Sequence, residues 1–573
     1  MVSIFGNLVE KSRRFIAKSY AARRVIWKFR THTQHINWRP MLEGDELWRS
    51  SLRKAAEGGQ RILIAPSMGA YLVGSRMESF LTVLLTLRGC DVDVLFCDGC
   101  LEGCHWFDNR VFTRIEQFLD GDGHRHFCHD CHSLPVRRLR EMGIRVHRYS
   151  DWLESGELDS INREVSRLSI EEMAASVVDG VPLGEHATAG ALRFFAKGTL
   201  VDEPNALEVM RRYYSAALVT YRVTRRLCEK QEPEVVVLNH GIYVPQGIIA
   251  ETALSMNRRV VTWHPAYRQR SFIFSEGGTY HHTLMTEDTA SWRNMEWSPA
   301  HERRIMDYLK TRWKGSADWI SFQHDTPIFD TSQISAQLGL DSGKPTVAML
   351  TNVIWDAQLH YPANAFPNMV VWIIETIRYF ASRPELQLVI RIHPAEVMGA
   401  LPSRQKGVDE IKKAFPTLPP NVFVIGPEDH TSTYALVSLC DSALIYGTKM
   451  GVELTSIGVP VIVAGEAWIR NKGLTMDANS QEEYFQLLKQ LPLGRKLTAD
   501  TIALARRYAY HFFFRRMIPI REVEPVTGPS RFRITATNAR QLLPGQDPGL
   551  DVICDGIRLG TPFVYPAEIL EDS

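Results

Sequence analysis

Residues 442–463 read SALIYGTKMGVELTSIGVPVIV, and within this stretch two apolar runs of strand length flank a helical pattern. The first run, 442–446, ends at Gly447, a residue type that favours a turn. The helical pattern covers 449–457, and the second run is 459–463. A strand, a helix and a strand in this order predict a parallel βαβ unit, because parallel strands need a crossover connection.

The same alternation continues towards the amino terminus and is interrupted once, by the polar residues 295–343. Further runs of strand length lie after the interruption at 345–350, 386–391 and 422–425, and before it at 61–66, 92–97, 143–147, 235–239 and 259–263. We therefore predict an α/β fold with two doubly wound parallel sheets, each Rossmann-like. Two such sheets face a cleft, and ligands bind at the carboxyl ends of the strands.

The chain has 573 residues, more than one hydrophobic core normally serves. We predict two domains, with a basic amphipathic segment before them and a helix with an extension after them. The predicted boundaries are 1–45 for the basic segment, 46–330 for the first domain with a cysteine-rich insertion at 97–132, 331–500 for the second domain, and 501–573 for the extension.

Charge and hydropathy exclude several classes of protein. The 66 basic and 65 acidic residues nearly balance, so we expect no nucleic-acid partner. No apolar run reaches the ~18–20 residues that a membrane helix needs. Residues 1–30 differ from the rest, because eight basic residues against one acid give them a charge of +7. Interleaved apolar residues predict a helix that either lies on an anionic membrane surface or packs on its own domain.

Six of the nine cysteines lie within 42 positions, between Cys90 and Cys131. Without a secretory signal peptide, reduced thiols and a cytoplasmic location are expected. Two C-x-x-C pairs and one further cysteine are candidate metal ligands: Cys97, Cys100, Cys104, Cys128 and Cys131. Thiolates from two such pairs can close a tetrahedral site, so structural zinc is the first expectation. An iron–sulfur site and unmetallated thiols are the alternatives.

Groups that suit a phosphate follow three predicted strands in the second half of the chain. The first group is Arg391, His393 and Glu396, the second lies between Tyr446 and Glu453, and the third includes Lys472. Arginine and lysine hold phosphate oxygens, and histidine can donate a further hydrogen bond. In the second group, Gly447, Thr448, Lys449 and Gly451 lie at a predicted helix start, where backbone N–H groups attract anions. Glu453 is expected to accept hydrogen bonds from sugar hydroxyls.

Together, R-x-H-P at 391–394, Y-G-T-K-x-G-x-E at 446–453 and W-x-x-x-K-G-x-T at 468–475 resemble the bacterial capsular and surface polysaccharide biosynthesis proteins. That family includes Kdo transferases and has the two-lobed GT-B glycosyltransferase fold. Cys-Asp-Gly at 97–99 and Asn-His-Gly at 239–241 extend the likeness into the first half of the chain. Kdo-type proteins tend to carry paired serines where this chain has Gly447-Thr448-Lys449, which leaves the donor nucleotide open.

The resemblance implies a transferase that moves a sugar from a CMP-, UDP- or GDP-linked donor to a capsule or O-antigen type of polysaccharide, or to its lipid-linked precursor. Catalysis without a metal, at the inner face of the cytoplasmic membrane, is implied as well. The second domain would bind the donor and the first the acceptor. The candidate catalytic residues are His240 and Glu276, and the candidate acceptor-binding residues are Glu185, Arg193 and His264. The alternatives are a nucleotide-sugar epimerase or polyol-phosphate transferase on the same fold, and a non-catalytic metal-binding scaffold.

Overall fold

The computed structural model describes residues 35–570 and Val25, except for 109, 110, 113, 121, 314, 321, 323, 325, 357–361, 495 and 529. The basic segment 1–30 lies outside the described residues apart from Val25, so its prediction stays open. Among the described helices, none is long and apolar enough to cross a membrane.

The first sheet has seven strands in the described residues, in the order β13-β6-β5-β4-β1-β2-β3. Its strands are β1 Arg61–Ser67, β2 Asp91–Phe96, β3 Arg145–Arg148, β4 Val235–Asn239, β5 Arg259–Pro265, β6 Ser271–Glu276 and β13 Ile518–Pro519. Strands β1 to β5 pair in parallel, and β6 and β13 extend the sheet in antiparallel pairs. Every residue of β4 is buried, as expected for a strand covered on both faces.

The second sheet has six strands within the described parts of the chain, all parallel, in the order β12-β11-β10-β7-β8-β9. Its strands are β7 Thr346–Leu350, β8 Gln387–Arg391, β9 Val422–Ile425, β10 Ser442–Ile445, β11 Val461–Val463 and β12 Met476–Asp477. A small antiparallel ribbon, β14 Val523–Pro525 and β15 Phe532–Ile534, lies outside both sheets.

Helices connect the strands of both sheets. Those up to the start of the second sheet are Arg39–Leu42, Glu46–Gly58, Leu72–Leu87, Ile115–Leu119, Asp122–Glu141, Glu157–Val165, Ile170–Ala174, Leu183–Phe195, Ala206–Gln231, Gln246–Ser255, Tyr280–Thr286, Ala290–Arg293, Pro299–Arg312 and Thr331–Leu338. Those after it are Met369–Ala381, Ala395–Met398, Gly407–Ala414, Thr433–Ser438, Met450–Ser456, Gln481–Leu488, Ala499–Tyr510 and Pro548–Leu559.

Both sheets contain the same topological switch. In the first sheet, β2 and β3 follow β1 on one side, and the chain then returns to place β4 and β5 on the other side. In the second sheet, β8 and β9 follow β7, and β10 and β11 lie on its other side. The crevice at such a switch, between β1 and β4 and between β7 and β10, is where this class of sheet binds ligands. The predicted fold class is thereby confirmed.

Two further segments form helices. The polar stretch 295–343 contains the helices Pro299–Arg312 and Thr331–Leu338 rather than only a connection. The chain also forms two separate helices, Glu157–Val165 and Ile170–Ala174, because Ser169 caps the second helix with its side chain and pairs with Glu172 in a capping box.

The carboxyl-terminal extension returns to the first sheet. Strand β13 pairs with β6, and the helix Pro548–Leu559 lies beside the helix Leu72–Leu87. A 2.7 Å ion pair between Arg88 and Asp551 joins this extension to the first sheet's helices. The chain therefore crosses twice between its two lobes.

Candidate functional site

The loops that follow β7 and β10 meet at the switch point of the second sheet. The Gly447 N–H donates to Asn352 Oδ1 over 3.4 Å, which ties one loop to the other. A side chain at Gly451 would lie 2.6 Å from Ile469, so only glycine lets the helix Met450–Ser456 pack on the next loop. We call residues 351–356, 391–396 and 446–453 the C-corner.

His393 is held as a neutral hydrogen-bond donor in the C-corner. Its backbone N–H donates to Thr351 Oγ1 over 3.0 Å, and its Nδ1 accepts from the Ala395 N–H over 3.0 Å. The ring proton therefore lies on Nε2. Burial, followed by the charges of Lys449 and Arg391, lowers the pKa of His393 to about 3. The ring stays neutral at physiological pH.

Lys449 is the outermost cation of a buried ionic network. Its Nζ donates to Glu453 Oε1 over 3.1 Å and lies 4.9 Å from the ring centroid of Tyr267. The Lys449 side chain is 18% exposed, against 3% for Glu453. Because an ammonium has three protons and Glu453 accepts one, the remaining protons are available to a ligand.

Behind Lys449, the carboxylate of Glu453 is surrounded by donors. The Tyr434 hydroxyl donates over 2.6 Å, and Arg312 Nε lies 3.1 Å away. Arg312 also pairs with Asp318, so two cations face two anions. Although burial opposes ionisation, Arg312 and Lys449 lower the pKa of Glu453 to about 2. Glu453 therefore positions Lys449, which corrects the expectation that it accepts from sugar hydroxyls.

Arg391 and Glu396 lie at or just after the end of β8, but both side chains make hydrogen bonds within the protein. The buried guanidinium of Arg391 donates to the carbonyls of Gly426 and Asp429, the latter over 2.9 Å. Both oxygens of Glu396 accept from the Gly407 N–H, over 3.1 and 3.2 Å. These two residues shape loops instead of facing the cleft, because each satisfies buried backbone groups.

Lys472, which was predicted to bind the donor, instead links the two lobes. Its ammonium donates to the carbonyls of Met285 and Glu287, each over 3.1 Å, and burial lowers its pKa to about 8. The hydroxyls of Tyr446 and Thr448 also make hydrogen bonds within the protein. Tyr446 donates its hydroxyl to the Phe366 carbonyl over 2.9 Å, and Thr448 accepts from the Met450 N–H over 3.3 Å.

At the switch point of the first sheet, His240 follows β4 with a φ of +69°, a left-handed conformation that is uncommon for a residue with a side chain. Its N–H donates to the Trp263 carbonyl over 2.9 Å. Its ring centroid lies 5.3 Å from that of His264, 5.8 Å from that of Tyr243 and 6.3 Å from that of His105. We call residues 240–245 and 264–267 the N-corner.

His264 is a neutral imidazole in the N-corner. Its Nδ1–H donates to the Pro265 carbonyl over 2.7 Å, which leaves Nε2 as the acceptor. Burial lowers the pKa of His264 to about 4, so the ring is neutral at pH 7. Arg193 reaches the same region, because its guanidinium lies 5.8 Å from the Tyr243 ring centroid and donates to the His105 carbonyl over 2.7 Å.

Direct contacts join the two corners. The Tyr243 hydroxyl of the N-corner donates to Asp356 Oδ1 of the C-corner over 2.9 Å. Tyr267 of the N-corner lies over Lys449, as described above. The structure therefore brings His240, His264 and Arg193 into the same region as His393 and Lys449.

Glu276 lies elsewhere, which corrects its assignment as a catalytic residue. It ends β6, which is antiparallel to β5, and therefore lies beside the amino ends of the parallel strands. Its carboxylate pairs with Arg259, the first residue of β5, over 2.7 and 2.9 Å.

Glu185 lies in the first turn of the helix Leu183–Phe195, and Arg193 lies in the last turn of the same helix. The two residues are therefore about 12 Å apart along the helix axis.

The sequence analysis did not identify Tyr243, Tyr267 or Glu78. Tyr243 and Tyr267 each follow a predicted strand by a few residues, and this position was the available signal. Glu78 gave no signal, because it lies inside the apolar helix Leu72–Leu87. Its carboxyl is buried, accepts from Trp263 Nε1 over 3.3 Å, and has its pKa raised to about 8 by burial.

No model of a protein family matches the chain, and no curated protein matches it. The chain is similar to the β-Kdo 2,4 transferase of KpsC from Thermosulfurimonas dismutans, with 14% identity, a TM-score of 0.31, and coverage of 48% of this chain and 78% of that one. The β-Kdo 2,7 transferase of the same KpsC is 13% identical, with a TM-score of 0.31 and coverage of 56% of this chain and 88% of that one. The UDP-GlcNAc 2-epimerase from Neisseria meningitidis, bound to UDP-GlcNAc, is 9% identical, with a TM-score of 0.22 and coverage of 78% of this chain and 96% of that one. TM-scores of this size carry no functional information, so function is inferred from the two corners.

Proposed function

We propose that this protein is a glycosyltransferase of the GT-B type, which moves a sugar from a nucleotide-sugar to a cell-surface polysaccharide or its lipid-linked precursor. The observation that carries the proposal is the meeting of two unlike corners. Phosphate-binding groups in the C-corner, Lys449 and His393, lie across from imidazoles in the N-corner, with contacts at Tyr243 and Tyr267. A donor and an acceptor that react must be bound in this kind of opposed arrangement.

The C-corner would hold the phosphate of the nucleotide-sugar. Lys449 has protons left for an anionic oxygen, and His393 directs a neutral Nε2–H from a fixed ring. As the bond between the sugar and the phosphate breaks, its electron pair passes to the phosphate oxygen. Donors that are already in place stabilise that charge without reorganisation, and no catalytic metal is included in the proposal. Charge-assisted hydrogen bonds of this kind contribute about 1.5–3 kcal/mol each.

The N-corner would bind the acceptor hydroxyl. His240 takes the hydroxyl proton as general base while the oxygen forms its bond to the anomeric carbon. His264 lies beside His240 and, with a pKa of about 4, forms a neutral wall of the acceptor side without taking up a proton. Arg193 supplies a cation beside Tyr243. Glu276 has no part in the proposal.

Nucleotide binding provides the first test. Melting temperatures are measured with CMP, UDP and GDP, because a ligand at about 100 times its dissociation constant stabilises a protein by ~2.7 kcal/mol. One nucleotide should raise the melting temperature, and the matching nucleotide-sugar should be consumed when a glycan acceptor is added. Lys449→Ala and His393→Ala should lose the response, whereas Glu276→Gln should keep it. If no nucleotide gives a response, the proposal is wrong.

The location in the cell is a second part of the proposal. The +7 charge of residues 1–30 supports binding to an anionic membrane surface, at ~1 kcal/mol for each basic residue near it. The full chain should therefore sediment with anionic vesicles at low salt and be released by added salt. A chain that lacks residues 1–30 should stay in solution and still bind the nucleotide. Equal sedimentation of both chains would contradict the membrane role.

A further inference from the structure

Four of the five clustered cysteines line one cavity of about 30 Å³ beside the N-corner. Cys97 and Cys104 come from the loop after β2, and Cys128 and Cys131 lie three positions apart on one face of the helix Asp122–Glu141. The other residues that line the cavity are mainly apolar and include Met68, Leu101, Phe107, Phe127 and Pro245. Thiols that converge in an apolar cavity form a metal-binding type of site.

Two glycines let these segments approach the helix closely. A side chain at Gly69 would lie 2.0 Å from the Cys131 carbonyl oxygen, so the loop after β1 packs directly on the helix backbone. Gly99 has a φ of +100°, and a side chain there would lie 3.5 Å from the Cys128 Cβ. The cavity is therefore built by close backbone packing from three segments.

Backbone N–H groups are directed at the sulfurs. The Ala70 N–H lies 3.3 Å from Cys131 Sγ, and the Gly99 N–H lies 3.4 Å from Cys97 Sγ. Cys104 also receives amide hydrogen bonds, from residues two and three positions further along the chain. Such hydrogen bonds are typical of iron–sulfur sites, whose potentials they tune.

Cys100 differs from the other four cysteines. Its Sγ donates to Asp98 Oδ1 over 3.3 Å, and it does not line the cavity. The structure therefore separates four candidate ligands from the fifth cysteine, Cys100. The sequence alone could not make this distinction.

We propose that Cys97, Cys104, Cys128 and Cys131 bind an iron–sulfur cluster. A single zinc ion needs all of its sulfurs about 2.3 Å from one point, whereas these four cysteines line the walls of one cavity, from a loop and from a helix. A cluster is bound at its periphery, through thiolates on more than one iron, which suits sulfurs arranged on the walls of a cavity. The centre goes beyond the proposed transfer reaction. It would fix the loop that carries His105 against Pro245 of the N-corner.

The test is metal analysis of the full-length chain, purified without oxygen. Iron, zinc and acid-labile sulfide are measured together with the visible absorption spectrum, before and after incubation with ferrous iron and sulfide. We expect iron and sulfide in equal amounts and a broad sulfur-to-iron absorption band. One zinc per chain without sulfide would overturn the cluster, and so would a wild-type chain that takes up neither iron nor sulfide.

Two cysteine variants sharpen the experiment. Cys104→Ser should lose more than nine-tenths of the iron, whereas Cys100→Ser, the matched control from the same segment, should keep it. Cys128→Ser replaces Cys104→Ser if the latter does not fold, and the wild-type measurement depends on neither. Loss of iron in Cys100→Ser with retention in Cys104→Ser would contradict the ligand assignment. Because nucleotide binding is measured independently, failure of the cluster leaves the proposed transferase function testable.

Discussion

The carboxyl ends of β7 and β10 are surrounded by buried ion pairs, whereas the carboxyl ends of β4 and β5 are surrounded by imidazoles and phenols. Each corner includes the loop after a strand at the topological switch of its sheet, β10 in the C-corner and β4 in the N-corner. In the C-corner, Arg312 and Lys449 face Glu453 and Asp318. In the N-corner, the corresponding space holds rings that are neutral at pH 7, such as His264. Topology therefore provides the position of a site, and a few side chains determine its chemistry.

Two glutamates show how strongly the surroundings control that chemistry. Glu453 and Glu78 are each 3% exposed, yet their pKa values are moved in opposite directions, to about 2 and about 8. Glu453 faces two cations, which offset the cost of burial. Glu78 accepts only from neutral donors, so burial dominates and the carboxyl stays protonated at pH 7. The same type of side chain is thus ionised in one lobe and protonated in the other.

The largest expected effect comes from disrupting the ion pairs of the C-corner. Glu453→Gln leaves Arg312 and Lys449 without their shared anion, and breaking a buried pair in this way costs about 3–5 kcal/mol. Urea unfolding should show that loss in the free energy of unfolding. Glu482→Gln, at an exposed position of a helix in the same lobe, should change it by less than ~0.5 kcal/mol. Equal stability of both variants would mean that the network contributes little.

The next largest effect concerns ligand binding, because we expect the nucleotide to bind in the C-corner and the acceptor in the N-corner. Lys449→Met removes a charge-assisted hydrogen bond worth about 1.5–3 kcal/mol, so affinity for the nucleotide should fall roughly ten- to hundredfold. His264→Gln should leave that affinity unchanged and lower the rate of transfer, because its imidazole lies on the acceptor side. Calorimetric titration gives the affinities, and a transfer assay gives the rates. A loss of nucleotide affinity in His264→Gln would show that the donor occupies both corners.

A third prediction concerns pH and the buried carboxyl of Glu78, which accepts a hydrogen bond from Trp263 of β5. The folded pKa of Glu78, about 8, lies above its unfolded value, so its contribution to stability is complete below pH ~4.5 and is lost as pH rises to about 8. The slope is at most about 1.4 kcal/mol per pH unit. Glu78→Gln cannot titrate, so its melting temperature should fall less between pH 5 and 8 than that of the wild type. Parallel curves for the two proteins would show that Glu78 is ionised.

Sequence reasoning located the strands and both corners because those signals are local. An apolar run that ends at a glycine or a polar residue marks a strand end, and Lys449, His393 and His240 follow from this pattern. The directions of charged side chains are not local. Lys472 donates to a carbonyl 187 residues away, and the pairing of β13 with β6 joins distant parts of the chain. No periodicity in the sequence contains such information.

The smallest expected effect tests the edge of the first sheet opposite the N-corner. Glu276 pairs with Arg259 at the amino end of β5, where its side chain is 35% exposed. A partly exposed ion pair contributes about 0–1 kcal/mol, so Glu276→Gln should lower the free energy of unfolding by no more than that. Transfer and nucleotide affinity should be those of the wild type, because the acceptor side of the cleft lies at the other end of these strands. His240→Gln is the matched comparison, and it should lose transfer at unchanged stability. If instead Glu276→Gln lost transfer and His240→Gln kept it, the acceptor would bind at the amino ends of the strands, and the assignment of the two corners would be reversed for this lobe.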